Sequence, residues 1–325
     1  MNTITIAAIA LVCLLAPVLV SYVVEALRRR PTSPSPGSWA PGVSIAYADI
    51  GGTRVRYLKT GSGPNLVLFH TLRTQLEVFQ RIIPKLAGQF TVYAVDYPGH
   101  GWSEIPKAEY SPEDFYQWTE KFLETVDIND ATVAGVSIGG TIALVLAARQ
   151  NPRVARVIAI NPYDYPPDGG VRSSSLVARL VLGPAGIPIL GATFMRLRNR
   201  LVFAKIMAGG VASVDAISPE LGAALYESGE RRGHYQAFLK LLSHEHEWSK
   251  ARSIYPKITV PTLLIYGEQD WAPVAQRERT ASLIPGVVVV TVGNGSHFLS
   301  LDRPTELSDY IVGFAAPAPA SVCAV

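Results

Sequence analysis

The sequence predicts an α/β fold, a mostly parallel sheet with helices on both faces and a helical cap inserted late in the chain. Three observations carry this. Short, wholly apolar runs of strand length alternate with longer helical patterns from about residue 65 onward, as in a chain of βαβ units. Gly51-Gly52 joins two alternating runs, which reads as an antiparallel hairpin at the start. Residues 166–252 then break the rhythm with a helical stretch rich in Leu, Ala, Gly and Arg.

The elements follow in order. No charged residue lies between Thr3 and Val24. As a helix that stretch would span roughly 33 Å, close to the hydrocarbon thickness of a bilayer. The expectation is a single-pass anchor over residues 1–27. A cleaved signal peptide is the alternative, but no Lys or Arg precedes the run, and Ser38-Trp39-Ala40 lies far downstream with Pro41 behind it. Arg28, Arg29 and Arg30 follow at once, which would keep the body of the protein on the cytoplasmic side. Residues 28–42 read as a Pro/Ser/Gly linker.

The core is expected over 43–165 and 253–315. Strands are read at 43–50, 53–61, 65–70, 90–97, 131–137, 154–162, 259–267 and 287–293. Helices are read at 76–86, 112–126, 138–149, 273–284 and after Pro304. The cap occupies 166–252, and 316–325 is a Pro/Ala-rich disordered tail.

Composition narrows the function. With 325 residues and 48% apolar content the chain can bury a large core. Its net charge of +3 comes without a basic tract interleaved with aromatics, so nucleic acid is excluded as a partner. Cys13 and Cys323 stand in no metal-ligand spacing.

The chemistry concentrates at Gly135-Val136-Ser137-Ile138-Gly139, a G-x-S-x-G between a strand and a helix. A serine there sits on a very tight turn that only residues without a Cβ can flank, and the helix N-terminus faces the developing charge. The bland reading is that Ser137 merely caps the helix. A hydroxyl needs a base to act. His297, in "GNGSHFLSLDRP" after the last strand, is the best placed. His70, His100 and His234 fit less well, and His244 and His246 lack the spacing of a zinc helix. The base in turn needs an acid, for which "IYGEQDWAP" offers Asp270 and Glu268.

Four segments together carry a resemblance: "VDYPGHGWSE" (95–104), "GVSIGG" (135–140), "PTLLIYGEQDWAP" (261–273) and "GSHFLSLDRP" (295–304). Through them the chain resembles the α/β-hydrolase superfamily over roughly residues 43–315. The resemblance implies an eight-stranded sheet, a Ser137, Asp270 and His297 triad, a helical cap and no cofactor. The Asp-nucleophile branches, epoxide hydrolases and haloalkane dehalogenases, are disfavoured by serine at 137. By position Leu72 and Ile138 would supply the backbone N–H groups of the oxyanion hole. One departure stands out, since Thr71 occupies a position where relatives carry glycine. Arg73 and Trp271 are candidate substrate contacts, the former able to hold a carboxylate or phosphate.

In the cap, apolar residues mix with Arg179, Arg196, Arg198 and Arg200, a surface suited to a membrane interface or simply to covering the site. The sequence therefore reads as a membrane-anchored serine hydrolase, carboxylesterase- or lipase-like, acting on a small, lipophilic ester. The alternatives are a C–C bond hydrolase or perhydrolase with the same triad, and a non-catalytic relative that binds a ligand.

Overall fold

The computed structural model describes residues 2–28, 31, 43, 45–165 and 170–315. Eight strands form one sheet in the order β1-β2-β4-β3-β5-β6-β7-β8. They are β1 (Ile45–Asp49), β2 (Arg54–Thr60), β3 (Asn65–Phe69), β4 (Thr91–Val95), β5 (Ala131–Val136), β6 (Val154–Ile160), β7 (Thr262–Gly267) and β8 (Val288–Val292). β2 runs antiparallel to both β1 and β4, and every other pairing is parallel. The β1–β2 turn is Gly51-Gly52 with both φ angles positive (73° and 87°), a conformation glycine adopts without a steric penalty. The central strands read as continuous apolar runs because helices cover both faces, and every residue of β5 is buried. Edge strand β8 instead leaves Val288 and Val289 exposed.

The parallel register brings the C-terminal ends of β3, β5, β6 and β7 side by side: Phe69 faces Gly135, Val136 faces Ile160, and Ile160 faces Ile265. Beside them Gly267 faces Val292 of β8. The loops leaving those five strands share one rim, where open α/β sheets bind ligands.

Around the sheet lie the helices. α1 spans Thr3–Ala26, α2 Ile83–Leu86, α3 Pro112–Thr125 and α4 Ile138–Ala148. α3 begins with a capping box between Ser111 and Asp114. α4 is buried over its whole length, which explains why it is apolar all round. Between β6 and β7 the chain runs through α5 (Leu176–Leu182), α6 (Leu190–Arg196), α7 (Arg200–Ala208), α8 (Pro219–Ser228), α9 (His234–Ser243) and successive 3₁₀ turns at Glu245–Lys257. α10 (Val274–Ser282), α11 (Leu299–Asp302) and α12 (Pro304–Ala315) close the fold.

Two expectations are corrected. The single helix read at 76–86 is a 3₁₀ turn, Leu76–Phe79, followed by the short α2. Pro84 lacks an N–H and is tolerated only in a first helical turn, so a new helix starts at that point.

The larger correction concerns the N-terminus. α1 forms over the expected stretch, yet no helix among the described residues is long and apolar enough to cross a membrane. The single-pass anchor, and the cytoplasmic placement drawn from it, are withdrawn. The physical reason lies in the last turns of α1, which are committed to the protein. Ser21 is fully buried and accepts a hydrogen bond from Arg196 Nε at 3.0 Å. The Arg196 guanidinium lies 3.8 Å from the Tyr22 ring centroid. Glu25 pairs with Arg198 at 2.7 Å. Arg28, read as an orienting charge, is bound to Glu25 and Glu230 and donates to the carbonyls of Arg196 and Arg198. The rest of the expected linker apart from Pro31, and the tail, lie outside the described residues.

Candidate active site

Ser137 stands where β5 ends and α4 begins, with φ 58° and ψ −120°. That backbone is strained for any residue with a Cβ, and such strain collects at functional turns. The flanking glycines are sterically required. A Cβ on Gly135 would lie 2.2 Å from the Gly139 carbonyl, and one on Gly139 would lie 2.4 Å from the Phe69 carbonyl oxygen. Although Ser137 occupies the N-cap position of α4, its side chain makes no capping hydrogen bond. The bland reading of this serine therefore fails, and its hydroxyl is not spent on the helix.

His297 follows β8 and is fully buried. Its Nδ1 lies 2.6 Å from Asp270 Oδ1, and Asp270 Oδ2 accepts from the Ala272 N–H at 3.1 Å. The pairing makes Nδ1 the protonated nitrogen and leaves Nε2 as the acceptor. Nε2 is buried and has no hydrogen-bond partner among the described residues. Glu268, the other acid considered, is exposed and accepts from the Asn294 N–H instead.

The departure at position 71 resolves locally. Thr71 takes no positive φ; the left-handed residue in this loop is Arg73, at φ 59°. The Thr71 carbonyl accepts from Thr74 Oγ1 at 2.8 Å and lies 2.7 Å from His70 Nδ1. His70 Nε2 accepts from the Tyr97 N–H at 3.1 Å, so Nδ1 carries the proton and donates to Thr71. Burial pushes the His70 pKa down, which keeps the ring neutral in this role. His70 thus holds the loop that presents Leu72. The N–H groups of Leu72 and Ile138 make no hydrogen bond among the described residues, and both remain free to donate to a ligand. His100, pushed down to about 3 by burial, and His234, lowered by burial as well, lie in a cluster with His70 and are poor bases at neutral pH.

Residues 64–187 match the family model described as alpha/beta hydrolase fold. The chain is 26% identical to 2-(acetamidomethylene)succinate hydrolase of Mesorhizobium japonicum, across 82% of this chain and 93% of that one. Among solved structures it superposes on Cfl2 of Burkholderia cenocepacia with a TM-score of 0.77, at 18% identity, covering 87% of this chain and 99% of the other. It superposes on a membrane phospholipase A with a TM-score of 0.68, at 23% identity, covering 96% of both chains. At such identities the two structural likenesses speak for the fold.

The chain has the α/β-hydrolase fold.

Within this fold Asn161, unnoticed in the sequence, ties the candidate site together from the end of β6. It is fully buried, with φ 45°. Its Nδ2 donates to the carbonyls of Ser296 (3.1 Å) and His297 (2.9 Å), and its Oδ1 accepts from the Gly267 N–H at 2.8 Å. Its neighbour Ile160 accepts from the Ser137 N–H at 2.9 Å. Two adjacent residues thus hold the backbones of the serine and the histidine. Asn161→Ala strips partners from three buried backbone groups, each costing about 1–3 kcal/mol when left unpaired. A misplacement on the order of 1 Å also costs roughly a hundredfold in rate. Turnover of whatever substrate the site accepts is expected to fall by about that factor, with denaturation showing the lost stability. A variant at wild-type kcat refutes this role.

A cavity of about 330 Å³ opens beside these loops. Thr71, Leu72 and Arg73 bound it on one side, and Trp271 and Phe298 on another, while the helical insertion supplies an apolar wall including Leu182, Phe194 and Phe203. Trp271 stacks on the His297 ring, with centroids 3.8 Å apart and planes within 13°. Its Nε1 donates to the Gly209 carbonyl at 2.8 Å. Arg73 and Trp271, the two candidate substrate contacts, therefore border one space.

Proposed function

We propose that this hydrolase cleaves a carboxylic ester with a lipophilic portion through an acyl-enzyme on Ser137. The observation that carries the reading is the buried His297–Asp270 pair, whose outer ring nitrogen has no hydrogen-bond partner among the described residues. Ser137 Oγ attacks the ester carbonyl as His297 Nε2 takes its proton, and Asp270 stabilises the resulting imidazolium. The Leu72 and Ile138 N–H groups hold the oxyanion. Collapse of the tetrahedral adduct expels the alcohol, which leaves with the proton from Nε2. Water, deprotonated by the same nitrogen, attacks the acyl carbon and frees the acid and Ser137. The helical insertion acts as a cap, and its apolar wall favours the lipophilic part of the substrate.

A fluorophosphonate probe tests the reading. It should label the folded protein at Ser137 alone, as mapped by peptide mass spectrometry, and p-nitrophenyl esters should turn over faster as the acyl chain lengthens beyond acetate. Failure to label Ser137 would favour a non-catalytic ligand binder. A clear preference for acetate would refute the lipophilic part.

A further inference from the structure

The cavity beside the site is bordered by one positive charge that forms no ion pair among the described residues. Two arginines border it, Arg73 and Arg198. Arg198 is accounted for, because it pairs with Glu25 at 2.7 Å and Glu230 at 3.2 Å. Arg28 pairs with the same two carboxylates, so that cluster of two arginines and two glutamates is neutral as a unit.

Arg73 has no carboxylate partner among the described residues. Its Nη1 donates to the Leu225 carbonyl at 3.1 Å, and its guanidinium lies 4.7 Å from the Phe203 ring centroid. The charged groups around it come from every neighbouring element. Arg198 and Arg231 repel it, Glu230 and Tyr226 favour it, and His100 and His234 are themselves held neutral by burial. Burial first, then Arg198, bring the Arg73 pKa down to about 9, so it still carries its proton at pH 7 without a counter-charge. The adjoining residue is Leu72, which lines the same cavity and whose N–H makes no hydrogen bond among the described residues. A guanidinium placed so is a donor fork for an oxyanion, beside the point where the reacting carbonyl would bind.

We infer that Arg73 recognises a singly charged anionic group on the substrate, a carboxylate or a phosphodiester, carried on the portion that fills the apolar cavity. This deepens the ester-hydrolase reading and rests on it. One uncompensated cation matches one negative charge; a phosphomonoester dianion would remain half unpaired.

The test compares p-nitrophenyl esters of equal chain length, one ending in a carboxylate and one in a methyl ester, with a phosphodiester-bearing and a phosphomonoester-bearing ester as further arms. Wild-type protein should favour a monoanion over its neutral match by about ten- to a hundredfold in kcat/KM, the range expected of one charge-assisted contact. The two monoanion arms identify the source. Arg73→Met should erase the preference, read as the ratio of charged to neutral ester within each protein, and Arg73→Lys should restore part of it. A structural role for Arg73 makes the opposite stability prediction. Because its charge lacks a partner, Arg73→Met should raise Tm, and the Leu225 carbonyl would still accept from Ser228 Oγ.

Equal rates on charged and neutral esters, a preference for the phosphomonoester, or a lower Tm in Arg73→Met each overturn the inference and leave the hydrolase reading standing. If no ester turns over, that reading falls instead, and binding decides the inference: hexanoate should stabilise Ser137→Ala thermally more than hexan-1-ol at equal concentration. Equal shifts would overturn it.

Discussion

Ser137→Ala is expected to abolish ester turnover while leaving the fold unchanged. Removing the nucleophile of a serine triad lowers kcat by on the order of a millionfold, since the remaining groups act only in concert with it. The second half of the expectation is the more discriminating. Ser→Ala at a helix N-cap ordinarily costs about 1 kcal/mol of stability, because the first-turn N–H groups lose their acceptor. Here the hydroxyl accepts nothing from α4. The positive φ is as strained for alanine as for serine. Equilibrium denaturation should therefore place the variant within about 0.5 kcal/mol of wild type, as for a change away from any structural contact. Fluorophosphonate labelling should vanish. A variant that hydrolyses esters within tenfold of wild type, or one that loses the full capping energy, refutes the assignment from opposite sides.

What could be read from the sequence follows its physical range. The strands at 65–69, 131–136 and 262–267 were legible because burial on both faces demands unbroken apolar runs. Ser137 was legible because a tight turn leaves a local trace in the glycines around it. Asn161 left none. Its role depends on carbonyls 135 and 136 residues away, and a lone asparagine after a strand looks like any turn residue. His70 was seen but not understood, since its two ring contacts reach Thr71 beside it and Tyr97 across the sheet.

The N-terminal segment shows the opposite error. Window hydropathy counts residues along one chain, whereas Ser21, Glu25 and Arg28 are matched by Arg196, Arg198 and Glu230 roughly 170 to 200 positions away. The arginines of the insertion, for which a membrane-facing surface was one of two readings, include those same two partners of α1.

Asp270→Asn is expected to lower kcat by about ten-thousandfold with little change in KM, the effect of fixing the wrong imidazole tautomer in such a triad. The local geometry says why. In wild type both carboxylate oxygens accept, one from His297 Nδ1–H and the other from the Ala272 N–H. An asparagine has only one oxygen to offer. If that oxygen keeps the Ala272 bond, the amide NH₂ faces Nδ1, which must then become the acceptor. The ring proton moves to Nε2, the nitrogen that has to receive the Ser137 proton, and the base is lost. If the amide turns over, His297 keeps its tautomer but the NH₂ is forced against the Ala272 N–H, leaving buried donors unpaired at about 1–3 kcal/mol each. Kinetics and proton NMR separate these outcomes: the low-field Nδ1–H resonance should disappear in the first and persist with reduced stability in the second. Glu268→Gln is the matched control. That exposed side chain, just after β7, accepts from the Asn294 N–H, and a glutamine oxygen can do the same, so the change should leave kcat within a factor of about two. If instead Glu268→Gln removes activity and Asp270→Asn keeps it, the base takes its orientation from the other acid and the proposed triad is wrong.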